Sequence, residues 1–111
     1  MTDYDRWDVV TALFPFTDAS VRKPRPVLVL SNILFNRLHG HLIGSMITTG
    51  AGSHWPSDHR IEDVSTTGLA HASLVRWKVF TLPFDLLGKR IGYLSETDRD
   101  AVKAQMAKVL L

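Results

Sequence analysis

Cysteine is missing from all 111 residues. That one absence excludes disulfide bridges, thiolate metal sites and thiol nucleophiles together. No apolar run approaches the ~20 residues that a helix needs to cross a bilayer, and no carboxylate cluster stands out, so neither membrane nor metal nor other cofactor is expected. The opening MTDYDRWD is acidic and lacks the charged-then-apolar pattern of a secretory leader. The chain reads as a soluble, cytoplasmic protein. Repeats, low-complexity tracts and linker-like stretches are also wanting, and the length suits one domain over residues 1–111. At that size roughly two-thirds of the unfolded surface can be buried, enough for one modest core without covalent staples.

What is present is an uneven charge. The formal net charge is only +2, yet residues 1–21 hold four acids against one base, and residues 22–90 hold nine bases against four acids. The final segment balances. A basic middle segment permits a polyanionic partner without requiring one.

Hydrophobic spacing outlines the elements. WDVVTALF (7–14) reads as a first strand, followed by a proline-containing loop over 14–24. VLVLS (27–31) is apolar throughout, as expected of a central strand buried on both faces. NILFNRLHG (32–40) predicts a short helical turn ended by Gly40, and HLIGSMITT (41–49) a further strand in which Gly44 marks a bulge or a close backbone approach. GAGSHWPSDH (50–59) is a loop, RIEDVS (60–65) an outer strand, and TTGLAH (66–71) a turn. ASLVRWKVF (72–80) alternates, with Val75, Trp77 and Val79 on one face and Leu74, Arg76, Lys78 and Phe80 on the other. Ser95 caps a helix running to the end, with Asp98 three residues on and Val102, Met106, Val109 and Leu110 at helical spacing. About five short strands and a late helix argue for a small barrel-like β structure capped by that helix.

The stretch KPRP (23–26) carries the chemistry. A residue before proline is pushed out of the helical region, so Lys23 and Arg25 are both held extended, and Pro24 fixes its own φ. Arg25 therefore stands on a stiff support one residue before VLVL. A guanidinium so placed can clamp a phosphate with paired hydrogen bonds; an exposed arginine at a strand entry has the same spelling.

WDVVTALFPFTD, KPRPVLVLSN, SMITT and ASLVRWKVFTL, taken in that order with the closing helix, resemble the MazF/PemK/Kid family of toxins from type II toxin–antitoxin pairs. The resemblance spans nearly the whole chain. It implies a mainly β fold with a C-terminal α-helix, an SH3-like (CcdB/PemK-like) small barrel of about five to seven strands. It also implies a homodimer, a cognate antitoxin partner, and a metal-independent endoribonuclease cutting single-stranded RNA. The catalytic pair of such proteins falls on Arg25 and Thr48; Thr49 adjoins it, since a one-residue slip exchanges strand faces. A second arginine of some members falls on Arg76. Two departures stand out. Trp7 replaces a glycine that many relatives carry before the Asp-Val pair, and Lys78 replaces an aspartate found two residues after the second arginine. The loop offers Asp18 where certain relatives have glutamate.

On this reading RNA supplies its own 2′-hydroxyl as nucleophile. Arg25 holds the scissile phosphate and Thr48 a phosphate oxygen or the 2′-hydroxyl. Lys23, Arg76, Lys78, Asp18 and Thr49 contribute to the substrate surface. His59 is a candidate helper. Trp55 is a base-stacking side chain, an antitoxin contact or a loop anchor. Two other readings share the fold: a CcdB-like toxin that binds gyrase, and a module that has lost catalysis and retains nucleic-acid or partner binding.

Overall fold

The computed structural model describes residues 3–13 and 23–111. Its strands are β1 (Asp8–Leu13), β2 (Pro24–Val29), β3 (His41–Thr48), β4 (His59–Arg60), β5 (Leu74–Pro83) and β6 (Leu87–Tyr93). Its helices are α1 (Ile33–His39) and α2 (Glu96–Leu110). All six strands form one antiparallel sheet in the order β4-β5-β3-β2-β1-β6. The mainly β architecture with a C-terminal helix is the one the hydrophobic pattern called for.

β2 lies inside the sheet, which is why its apolar run has no polar alternation: Val27, Leu28 and Val29 are all fully buried. Leu28 faces one cluster with Val9, Ile47, Val75 and Trp77, closed by Leu94 and by Val102 of α2. Val27 and Val29 face the other, with Tyr4, Val10, Ala12, Leu42 and Leu82. Each such side chain contributes roughly 1.5–3 kcal/mol by leaving water.

The helices start where the sequence says they should. The Asn32 side chain accepts from Phe35 N at 2.9 Å, and α1 stops at Gly40, whose φ is 61°. Ser95 Oγ accepts from Asp98 N at the head of α2. Val102 and Met106 pack on the sheet as expected, but Val109 and Leu110 are exposed.

Several elements differ from the spacing-based expectations, and β5, expected over 72–80, runs from Leu74 to Pro83. β2 begins at Pro24 rather than after Pro26, so Arg25 lies within the strand. The outer strand expected over 60–65 shrinks to His59–Arg60, followed by a 3-10 turn at Val64–Thr66. β6 was not foreseen at all. Its two glycines hide it, and Gly92 has a steric reason: a Cβ there would sit 2.4 Å from the Thr66 carbonyl oxygen.

Trp7 has φ 76°, a left-handed conformation in a residue with a bulky side chain. Its N–H donates to the Val29 carbonyl (2.8 Å) and its carbonyl accepts from Leu94 N (2.9 Å), so the kink joins β1 to β2 and to the entry of α2.

Candidate functional site

Strand register decides which candidate side chains meet. β2 pairs with β3 as Val27↔Met46, and carrying this two residues further sets Arg25 across from Thr48. β3 pairs with β5 as Met46↔Arg76 and Thr48↔Leu74. Directly paired residues share a face. Arg25, Thr48 and Arg76 therefore share the face that carries Val27 and Val29, at the end away from that apolar cluster. Arg25 is exposed and, among the described residues, has no hydrogen-bond or ion-pair partner. Thr48 is half-buried; its Oγ1 accepts from Gly50 N at 3.2 Å, which leaves the hydroxyl proton able to donate. Thr49 follows the end of β3 and is exposed, as is Lys23 just before β2. A cavity of about 180 Å3 at the Leu13–Pro24 end of β1 and β2 is lined by Ala12, Leu13, Pro24, Leu86 and Leu87 with Asp85, and Arg25 is not part of its lining. Asp18 falls outside the described residues.

Arg76 is held differently from Arg25. Its side chain is 6% exposed and pairs with Asp58, which is 2% exposed. Nε donates to Asp58 Oδ1 (3.0 Å), Nη2 to Asp58 Oδ2 (2.7 Å), and Nη1 to Ser53 Oγ (2.8 Å). The guanidinium carbon also lies 5.2 Å from the Trp55 ring centre. The Arg76 hydrogen bonds hold the Asp58 carboxyl below its ordinary pKa against the opposing push of burial, with the Trp55 N–H helping. The fork that the sequence assigned to substrate is filled by an internal carboxylate.

Lys78 is exposed, and its Nζ lies 5.7 Å from the same Trp55 ring. It reaches that position through a bulge. Pairing shifts between Ser45↔Val79 and Met46↔Arg76, so Trp77 and Lys78 are two extra residues on β5. Trp77 turns into the core, where Nε1 has no hydrogen-bond partner among the described residues.

His59 is tied away from the arginines. Its Nε2 lies 2.8 Å from Asp98 Oδ1. Asp98 is fully buried and also accepts from the backbone of Glu62 and Asp63 and from Ser95 Oγ. Burial pushes the Asp98 carboxyl up, yet these four donors together hold it below its ordinary pKa. Asp98 thus closes the first turn of α2 onto the β4 segment. Sequence spacing identified Asp98 only as a helix-start residue, and Asp58 not at all; nothing but its charge links it to a residue 18 positions away.

Among the described residues no group of three or more histidine, aspartate or glutamate side chains is arranged to hold a metal. No described helix is long and apolar enough to span a membrane.

The fold has counterparts in solved structures. The chain is similar to a mycobacterial endoribonuclease in complex with its cognate antitoxin, at 21% identity and TM-score 0.78, covering 99% of this chain and 95% of that one. It is similar to MazF of Deinococcus radiodurans, at 18% identity and TM-score 0.77, over 99% and 98% of the two chains. It is also similar to the Mycobacterium tuberculosis toxin MazF-mt6, at 24% identity and TM-score 0.70, over 91% and 93%. Identities this low establish the shared fold alone. No curated protein sequence matches the chain. A family model described as PemK-like, MazF-like toxin of type II toxin-antitoxin system matches residues 5–110. Because that match runs over nearly the entire chain, this protein belongs to the PemK-like, MazF-like toxins of type II toxin–antitoxin systems.

Proposed function

We propose that the protein is a cytoplasmic endoribonuclease that cuts single-stranded RNA without a metal ion. The observation that carries this reading is Arg25 itself, an exposed guanidinium on a proline-stiffened strand, with Thr48 across from it where the Val27↔Met46 register is continued by two residues. Membership of the toxin family supports it, as does the likeness to a mycobacterial endoribonuclease.

Arg25 holds the non-bridging oxygens of one phosphodiester and stabilises the charge that builds there. Thr48 donates its hydroxyl to a phosphate oxygen or orients the ribose 2′-hydroxyl. The 2′-oxygen bonds to phosphorus as the bond to the 5′-oxygen breaks. The 2′-hydroxyl loses its proton and the leaving 5′-oxygen gains one. The products are a 2′,3′-cyclic phosphate and a 5′-hydroxyl end, and DNA, lacking the nucleophile, is not cut. Lys23, Lys78 and Thr49 line the approach as exposed donors, with Asp18 as a further substrate contact. The protein acts as a homodimer, and a cognate antitoxin silences it. The mycobacterial endoribonuclease in complex with its cognate antitoxin is a relative so partnered.

The test is incubation with single-stranded RNA in EDTA, with both new ends mapped. Cleavage to cyclic phosphate that vanishes in Arg25→Ala supports the reading. Binding of RNA without cleavage would instead mark a module that has lost catalysis, a possibility that Lys78 in place of a family acid keeps specific. Intact RNA with arrested supercoiling would point to a gyrase-binding toxin.

A further inference from the structure

Arg76 reaches three residues of one loop at once. It holds Asp58 through two nitrogens, Ser53 through a third, and lies against the ring of Trp55. Asp58 secures Trp55 a second way. Its Oδ2 accepts from Trp55 N (3.0 Å), while Asp58 N donates to the Trp55 carbonyl (2.9 Å). These bonds close a tight turn with Pro56 at its second position, where proline fits best. The loop starts at Thr48 and ends at β4, so its anchoring bears directly on the Arg25–Thr48 face. Trp55 itself is only partly buried, and a second cation, Lys78, lies over its ring.

We infer that Asp58 is a positioning residue: through Arg76 it fixes the Trp55 indole as a stacking surface for one unpaired base of the RNA, beside the phosphate held by Arg25. This inference rests on the ribonuclease reading above. Arg76 then acts on RNA through the loop rather than by gripping a phosphate, because its fork is already filled. A buried ion pair adds little net stability, but its paired hydrogen bonds hold one geometry, which is what a stacking surface requires. An indole flanked by cations also suits a base flanked by phosphates.

The experiment measures cleavage of a randomised single-stranded RNA and binding of an uncleavable 2′-deoxy version, each with melting temperature recorded. The proteins are wild type, Trp55→Leu, Trp55→Phe, Asp58→Asn and Arg25→Ala. Trp55→Leu is expected to raise KM about tenfold with kcat little changed and to level the base preference at one position near the cut. Trp55→Phe should restore the preference. Asp58→Asn should weaken binding and blur the same position. Its melting temperature falls, so the base preference at that position is the deciding readout. Unchanged base preference in Trp55→Leu overturns the inference, even if wild type cuts RNA and Arg25→Ala does not. Failure of wild type to bind or cut RNA overturns the ribonuclease reading and this one with it; binding without cutting overturns only the former, and the deoxy oligonucleotide still reports base preference.

Discussion

At the scale of single residues, two side chains are set by backbone rather than by packing. Arg25 owes its extended support to Pro26 and its freedom to exposure, so Arg25→Ala is expected to abolish RNA cleavage while moving the melting temperature by less than about 2 °C, because exposed substitutions away from special features change stability little. Trp7 is the converse case. A left-handed φ of 76° strains any residue with a Cβ, and glycine, which many relatives are expected to carry there, has none. Replacing Trp7 removes its contacts with the core in either case. Trp7→Gly should nevertheless be more stable than Trp7→Ala by about 1 kcal/mol in chemical denaturation, the reverse of the order usual in regular structure. If alanine proved the better replacement, the strain assigned to this position would be refuted.

At the scale of elements, Asp98 joins α2 to β4, and its titration gives a direct check. Its pKa is held below the ordinary 3.8 in the folded protein. A carboxyl so lowered contributes stability above its unfolded pKa, and that contribution is lost as pH falls through the folded value. Wild type should therefore lose stability steeply below about pH 4, as befits an unfolded carboxyl pKa of ~3.9. Asp98→Asn should be less stable at pH 7 by about 2–3 kcal/mol, with a flatter dependence at low pH. Melting curves from pH 2.5 to 7 measure both.

The same elements show what sequence spacing can reveal. β1, β2, β3, β5 and both helices follow from apolar periodicity, proline restriction and caps, since each is decided by near neighbours. β6 was opaque because LGKRIGY carries two glycines and two cations, and it is only partly buried. Its glycines answer to Thr11, Thr66 and Thr67, contacts that no local pattern announces. Arg25 was legible as a stiffly held cation from its flanking prolines, and only the family resemblance coupled it to Thr48. The Asp58–Arg76 pair was not, since it depends on how a loop returns. Val109 and Leu110 keep the helical spacing of Val102 and Met106, yet both are exposed at the end of α2.

At the scale of the whole molecule, the bias of positive charge toward residues 22–90 should appear as salt sensitivity. RNA affinity is expected to fall linearly on a log–log plot against salt, with a slope near 0.7 per phosphate neutralised on a single strand. Removing exposed Lys78 should lower that slope by about one contact, whereas removing Trp55 should weaken binding at every salt concentration and leave the slope alone. A slope unaffected by Lys78→Ala, measured by titration from 50 to 300 mM salt, would take Lys78 off the RNA path.

The bulge of β5 bears on how that strand can change length. Trp77 and Lys78 enter as a pair, so the strand resumes with Phe80 and Leu82 on the side they would have occupied without the insertion. Loss of both residues would shorten the strand yet leave its inward and outward sides as they were. Loss of either alone would leave a one-residue bulge, in which two residues face one on β3 and the later side chains keep their sides. The bulge thus lets β5 change length at this point by one or two residues without exchanging its faces.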